Sequence, residues 1–175
     1  RLGYVLLYNF DYYSNHPIEI LFLWQGGMSF HGGLIGVIIA QIATCKKFKV
    51  KFLVLTDISS LTVPLGFMLG RIANFINGEL YGRITQHPIG IIFPNGGNSP
   101  RHPSQLYEAF FEGFILFLIL NLLFYFSKIK SLTGMLTGIF ILLYGVFRFL
   151  IEFFREPDVQ LGLFFLSLTL GQILC

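Results

Sequence analysis

Residues 70–82 read Gly-Arg-Ile-Ala-Asn-Phe-Ile-Asn-Gly-Glu-Leu-Tyr-Gly and end a long apolar run that begins near Phe52. A polar cluster therefore lies where a membrane helix would reach the surface, and a charge at the bilayer centre costs about 2.5–3.5 kcal/mol on insertion scales. The glycines at 78 and 82 predict a turn whose backbone N–H groups are open to a ligand. Arg71 above this turn predicts an anion site that faces lipid headgroups. The alternative is a helix end at which Arg71 snorkels and Asn74 caps.

The composition is that of a membrane protein. Hydrophobic residues make up 54% of the 175 residues and charged residues only 12%, against about 25% charged residues in soluble domains. The predicted fold class is all-α, a polytopic membrane helix bundle. The net charge of +3 is too small to argue for nucleic-acid binding. Because the chain opens on Arg1 and stops at Cys175 inside an apolar run, we expect a single transmembrane domain over 1–175, incomplete at both ends.

Apolar segments separated by polar loops predict the order of the helices. Spanning helices are expected over about 30–44, 52–75, 106–126 and 132–154, with another that begins near 162. Residues 1–10 look like the end of a further helix, 11–17 like an interfacial loop and 18–24 like an interfacial half-helix. Residues 77–105 carry no spanning signal and predict an extracytoplasmic loop region.

The positions of the lysines predict the topology. All six lysines lie in two loops, at 46–51 and 128–130, and the positive-inside rule makes both loops cytoplasmic. Every arginine after Arg1 then lies at or near the opposite face. Because arginine is a planar cation with several donors, this sorting suits a phosphate-handling site.

One face of the 132–154 segment carries four polar side chains. Tyr144, Arg148 and Glu152 are spaced i, i+4 and i+8, and Arg155 follows three residues later, so a helix would place all four on one side. They could form an ion-pair ladder that stabilises the bundle. Alternatively, Glu152 orients Arg148 and Arg155 toward an anionic phospholipid, a reading that the ladder's excess of positive charge favours.

His31 lies between two Gly-Gly pairs at the outer end of its predicted helix. A neutral imidazole near pH 7 could accept a thiol proton, although a membrane histidine is often a packing residue. Neither Ser29 nor Ser104 lies in a nucleophile elbow, so neither is expected to attack a substrate. Histidines and carboxylates show no metal-ligand spacing, and we expect no metal and no cofactor.

Four blocks together resemble one family. They are residues 70–82, 26–33 (GGMSFHGG), 101–108 (RHPSQLYE) and 144–158 (YGVFRFLIEFFREPD). Taken in chain order, they are similar to the signature regions of the bacterial prolipoprotein diacylglyceryl transferases. The resemblance runs from the first residue to the last. The link over 93–102 is shorter than the extracytoplasmic arm of some members, which puts contacts of the arm with substrate in doubt.

The resemblance implies a reaction and its partners. A diacylglyceryl group would pass from phosphatidylglycerol to the lipobox cysteine thiol of a prolipoprotein, with release of glycerol phosphate. The expected location is the bacterial inner membrane, multi-pass, with an extracytoplasmic active face. By motif position the implied catalytic residues are His31, Tyr144 and Arg148, and the implied phosphatidylglycerol-binding residues are Arg71, Asn74, Glu79, Gly82, Glu152 and Arg155.

Two alternatives of other classes stay open at this point. The same arginines could line the path of a lipid or anion transporter or channel, or belong to a non-catalytic lipid-binding scaffold. The enzymatic interpretation requires that the guanidinium groups of Arg71 and Arg148 meet around one lipid phosphate beneath the outer headgroups.

Overall fold

The computed structural model describes residues 1–156, and every regular element in this range is helical, accompanied by isolated β-bridges. The chain divides into two compact units, residues 1–55 and the residues from 56 onward.

The first unit contains short helices followed by one long helix. These elements are α1 (Leu2–Tyr8), α2 (Phe10–Asn15), two 3₁₀ helices (Pro17–Leu21 and Leu23–Gln25) and α3 (Phe30–Phe48). The predicted loop over 11–17 is wrong, because most of it is the helix α2. The side chains of Ser14 and Asn15 donate to the carbonyl oxygen of Asp11 over 2.8 and 2.9 Å and close this helical turn.

Small residues set the packing of α1 on α3. A Cβ atom added at Gly3 would lie 2.9 Å from the Cα atom of Gly32, so the two backbones approach as only small residues allow. Ser29 is the N-cap of α3, and its Oγ accepts from the N–H of Gly32 over 3.3 Å. Ser29 and Gly32 therefore both have structural roles.

The second unit is built mainly from three long helical segments. The first is α4 (Phe52–Asn77), whose first turn belongs to the first unit. The next is continuous from α5 (Ser104–Glu108) through a π-helix (Ala109–Ile115) into α6 (Leu116–Phe126). A 3₁₀ turn (Lys128–Ser131) leads to α7 (Met135–Ile151).

These bounds confirm the predicted helices over 52–75 and 106–126 within two residues at each end. The helix predicted over 132–154 is shorter at both ends, since α7 runs over Met135–Ile151. The helix predicted from 162 lies outside the described residues.

Two described helices are long and apolar enough to cross a membrane: Phe52–Asn77, with 26 residues, and Ser104–Phe126, with 23. Only 11% and 28% of their apolar windows are buried within the chain. A core helix of a soluble protein would be mostly buried, so the exposed apolar surface of both helices favours a lipid environment. At 17 residues, α7 is shorter.

The core of the second unit lies between α6 and α7, where Leu116, Leu120 and Leu136 are almost fully buried. The π-helix also lies close to α4. A Cβ atom at Gly113 would be 2.6 Å from the Cβ atom of Met68, so glycine is required for this approach.

Asp57 of α4 binds the start of α7. Its carboxylate accepts from the backbone N–H of Gly134 over 2.6 Å and from that of Thr137 over 2.8 Å. The Thr137 hydroxyl also donates to it, over 2.8 Å. An acid at this end satisfies free N–H groups and faces the positive end of the helix dipole. Asp57 thus serves α7 as a capping residue supplied by another helix.

We expect Asp57→Ala to lower the free energy of unfolding by about 1–2 kcal/mol, because two N–H groups of α7 lose their acceptor. Thermal unfolding of the purified protein in detergent, followed by circular dichroism, measures this. Asp57→Asn is the matched control, since its amide oxygen can still accept a hydrogen bond, and its loss should be smaller. An unchanged midpoint in Asp57→Ala would contradict the capping role.

Candidate active site

Arg71 and Arg148 meet at one carboxylate. Arg71 lies two turns before the end of α4, Glu108 ends α5 and Arg148 is in the last turn of α7. The Nε atom of Arg71 is 2.7 Å from Oε2 of Glu108, and Nη1 of Arg148 is 3.3 Å from the same oxygen. Two guanidinium groups from different helices therefore lie at one place, as the enzymatic interpretation requires, with the Glu108 carboxylate between them.

Two further carboxylates contact Arg148. Its Nη1 is 3.7 Å from Oε1 of Glu112, and its Nη2 is 3.0 Å from Oε2 of Glu152. The Glu108 contacts are charge contacts rather than aligned hydrogen bonds, since neither of its oxygens accepts one from the described residues. Three carboxylates and two guanidinium groups form this cluster, which we call the Arg–Glu cluster (Arg71, Glu108, Glu112, Arg148 and Glu152).

The excess of positive charge expected for the ladder of the 132–154 segment does not extend to this cluster, because Glu108 and Glu112 add two carboxylates that the predicted ladder did not include. Both side chains are about 1% exposed. The available signal was the pair of acids four residues apart at the start of an apolar helix, where a buried charge needs a partner. The π-helix that begins after Glu108 widens the helical turn, and such segments occur often at functional sites.

An aromatic groove lies beside the Arg–Glu cluster. It has a volume of about 220 Å³ and is lined by Tyr107, Phe111, Phe147, Leu150, Ile151 and Phe154. Four of these residues directly precede a cluster residue in the sequence, so the groove and the cluster occupy adjacent faces of the same helices. The groove is almost entirely apolar.

Tyr144 lies one turn below Arg148 on α7. Its ring packs against Phe67 of α4, with centroids 5.3 Å apart, and against Phe140, 6.1 Å apart. The predicted i, i+4, i+8 series of Tyr144, Arg148 and Glu152 therefore starts on helix α7 and reaches its C-cap residue.

Arg155 does not share this helix face, because α7 ends before it. It instead forms an isolated bridge with Gly82, and its carbonyl oxygen accepts from Nε of Arg83 over 2.8 Å. The prediction that four side chains follow one helical face is wrong for this residue. The chain leaves the helix at Glu152 and pairs with the loop region.

The end of α4 is a Schellman motif. Gly78 has a positive φ of 66°; its N–H donates to the carbonyl of Phe75 over 3.1 Å, and the N–H of Glu79 donates to that of Asn74 over 3.0 Å. The N–H of Gly82 donates to His102 O over 2.8 Å. The prediction that the N–H groups at these two glycines are open to a ligand is therefore wrong.

Asn74 and Glu79 contact each other. The Asn74 side-chain amide donates to Oε1 of Glu79 over 2.8 Å, and that of Asn77 donates to the same oxygen over 3.3 Å. These two hydrogen bonds lower the pKa of Glu79 below its usual value. The carbonyl of Glu79 also accepts from the Gln105 side chain over 2.6 Å, which ties the end of α4 to the start of α5.

Gly82 is buried between two backbone segments. A Cβ atom there would lie 2.4 Å from the carbonyl oxygen of Phe154 and 2.7 Å from that of His102. Glycine is thus required at 82 so that the loop region can pair with the residues that follow α7. Ser104 is fully buried nearby, and its hydroxyl donates to Leu80 O over 3.3 Å.

His31 lies in the first unit, in the first turn of α3, and is exposed. It lines a groove of about 340 Å³ with Tyr4, Tyr8, Met28 and Ser29. Of its flanking glycines, Gly32 packs against Gly3, whereas the space around Gly33 is open.

Comparisons with known proteins agree with the resemblance. The family model of prolipoprotein diacylglyceryl transferase matches residues 1–175. A phosphatidylglycerol–prolipoprotein diacylglyceryl transferase of Ehrlichia ruminantium (strain Welgevonden) is 56% identical over 176 residues, which cover 99% of this chain and 68% of the relative. One of Rickettsia canadensis (strain McKiel) is 60% identical over 174 residues, covering 99% and 67%. A third, of Wolbachia pipientis subsp. Culex pipiens (strain wPip), is 55% identical over 175 residues, covering 99% and 66%.

We expect Gly82→Ala to lower the free energy of unfolding by about 1–3 kcal/mol, because the added methyl group overlaps two backbone carbonyl oxygens. Thermal unfolding in detergent measures the change. Gly70→Ala is the control: among the described residues, no atom beyond its chain neighbours and the adjacent backbone of its own helix lies within 4 Å of the added Cβ. Alanine also suits a helix better, so the midpoint should stay or rise. Equal midpoints for Gly82→Ala and the wild type would refute the packing role.

Proposed function

This chain belongs to the prolipoprotein diacylglyceryl transferase family, and we propose that it transfers the diacylglyceryl group of phosphatidylglycerol to the lipobox cysteine thiol of a prolipoprotein. The cysteine sulfur forms a bond to the terminal diacylglyceryl carbon, and the bond from that carbon to the phosphate oxygen breaks. The products are a thioether and glycerol phosphate, and the thiol proton passes to a base. This is the first step of bacterial lipoprotein maturation.

The observation that supports this chemistry best is the meeting of Arg71 and Arg148 at Glu108. A phosphate leaves more easily when its charge is neutralised in a site poor in water, and guanidinium groups bind phosphate with two parallel N–H donors. Because Arg148 already contacts three carboxylates, phosphate binding depends mainly on Arg71. The apolar groove beside the cluster suits a lipid substrate, since an acyl chain would be buried against aromatic rings.

The remaining site residues act around this centre. Tyr144 packs below Arg148 and limits where its guanidinium group lies, and Glu152 fixes Nη2 of Arg148. Asn74 and Glu79 shape the end of α4 that carries Arg71. Gly82 and Arg155 join the loop region to the segment after α7.

His31 is the proposed acceptor of the thiol proton. The pKa values of imidazole and thiol are close, so proton transfer near pH 7 is feasible, and the thiolate is the nucleophile. Its exposed position on a groove lets a peptide reach the imidazole.

The proposed location is the bacterial inner membrane, crossed several times, with the Arg–Glu cluster near the extracytoplasmic face. The two long apolar helices and the lysine-rich segments at 46–51 and 128–130 support this arrangement. The loop predicted at 46–51 is wrong in part, because α3 continues to Phe48 and carries Lys46 and Lys47 in its last turn. Within the second unit, the cluster lies at the end of α7 opposite the 128–130 segment, which supports an extracytoplasmic position if that segment is cytoplasmic.

We expect Arg148→Ala to lower the rate of thioether formation by about 10²-fold or more, because the leaving phosphate loses charge stabilisation. Purified protein is incubated with phosphatidylglycerol and a lipobox peptide, and mass spectrometry measures the lipidated peptide. Lys51→Ala is the matched control: it also removes one positive charge, from an exposed side chain outside the Arg–Glu cluster and the loop region, and should leave the rate unchanged. Lipid movement without covalent product in the wild type would contradict the proposal and favour a transporter.

For the topology, a cysteine placed at Lys128 should react with a membrane-impermeant maleimide only after the inner membrane is opened. Cys45→Ser and Cys175→Ser are introduced first so that one thiol reports. Labelling from the periplasm in intact spheroplasts would reverse the proposed orientation.

A further inference from the structure

The two arginines of the Arg–Glu cluster contact carboxylates through different atoms. The closest contact of Arg71 to Glu108 is through Nε, the nitrogen on the stem side of the guanidinium group, at 2.7 Å. Arg148 makes its contacts through the two terminal nitrogens: Nη1 toward Glu108 and Glu112, and Nη2 toward Glu152. The terminal edge of Arg148 is therefore occupied by carboxylates.

The two arginine side chains also differ in their exposure to solvent. The Glu108 side chain is 1% exposed, that of Arg148 14% and that of Arg71 23%. A carboxylate that is buried to this degree cannot turn away from its partners without cost. The Arg71 side chain is the more exposed of the two cations and the one that a ligand reaches more easily.

We propose that Glu108 is a positioning residue: its carboxylate holds Arg71 at Nε and turns the Nη1–Nη2 edge of Arg71 toward the lipid phosphate, while Arg148 contributes charge. This inference rests on the proposed transfer reaction and gives the two arginines different roles. An ion pair whose closest approach is at Nε leaves the terminal pair of donors as the fork that matches two phosphate oxygens.

Glu108 also keeps the two cations together. Two guanidinium groups near one point repel each other strongly where the dielectric constant is low. The shared Oε2 atom, 2.7 Å from one and 3.3 Å from the other, offsets this repulsion. Without the carboxylate, Arg71 would retain its charge but lose the orientation of its donors.

The first test is Glu108→Gln, which keeps the shape of the side chain and removes its charge. We expect the KM for phosphatidylglycerol and the inhibition constant of glycerol phosphate each to rise about tenfold, the size of a lost charge-assisted contact. The KM for the lipobox peptide should not change. An unchanged KM for phosphatidylglycerol, or an equal rise for both substrates, would overturn the proposal, because a general structural defect affects both substrates.

Glu156→Gln is the matched control. Glu156 pairs with Arg101 over 2.6 Å in the loop region, so this variant also removes one carboxylate from an arginine. It should leave both KM values unchanged. A rise in the KM for phosphatidylglycerol equal to that of Glu108→Gln would show that any lost acid has this effect, and the specific role of Glu108 would be rejected.

A double-mutant cycle tests whether Glu108 acts through Arg71. Lysine keeps the charge of Arg71 but lacks the Nε atom and the fork, so Arg71→Lys should raise the KM for phosphatidylglycerol. If Glu108 acts through Arg71, adding Glu108→Gln to Arg71→Lys should change KM by less than about twofold. If the KM of the double variant rose by the product of the two single-variant factors, Glu108 would act independently of Arg71, and the proposal would be refuted.

If Glu108→Gln does not yield folded protein, Glu108→Asp tests the positioning role instead, since it keeps the charge and shortens the side chain. It should fold and raise the KM for phosphatidylglycerol by a smaller factor; an unchanged KM would refute positioning. Failure of the transfer proposal is seen separately, as absence of thioether in the wild type. In that case, calorimetric binding of glycerol phosphate to the wild type and to Glu108→Gln still tests the positioning role, and equal affinities would reject it.

Discussion

A buried carboxylate between two guanidinium groups is the constraint on which the second unit depends. Glu108 contacts Arg71 from α4 and Arg148 from α7, so the buried charge of Glu108 meets both of its cations only when three helical segments come together. Removing one partner from a buried ion pair typically costs about 3–5 kcal/mol, because it leaves an uncompensated charge. The same requirement that holds the helices together also places two cations where a lipid phosphate could be bound.

The opposite end of α7 follows the same principle. There the Asp57 carboxylate of α4 accepts hydrogen bonds from the first turn of α7. Helices α4 and α7 are thus joined near both ends by carboxylates, with an aromatic contact of Phe67 and Tyr144 between them. In a lipid environment, where apolar contact adds little to helix association, such polar links and close glycine contacts carry much of the specificity.

Several features of the fold could be predicted from the sequence because they depend on local composition. The apolar runs gave the bounds of α4 and of the 104–126 segment, since hydrophobic length is a property of consecutive residues. The loop region over 77–105 is predicted because no apolar run there is long enough to span a membrane. The bounds of α7 were less accurate, because the apolar residues Phe153 and Phe154 continue the pattern after the helix has ended. The polar and aromatic residues 11–17 predict a loop. The side-chain hydrogen bonds to Asp11 that close α2 leave no periodic signal in the sequence.

The amino-acid sequence by itself determined which residue types are available for a phosphate site, and its motifs indicated the family. It also indicated that Arg71 and Arg148 stand near the ends of their helices. Only the tertiary structure decided that both arginines meet at Glu108, that Glu112 joins them from a π-helix, and that the N–H groups of Gly78 and Gly82 are used within the chain. These facts depend on which helix faces pack together and on where a helix changes its hydrogen-bonding pattern. Residues far apart in the sequence make those choices jointly, so no local pattern records them.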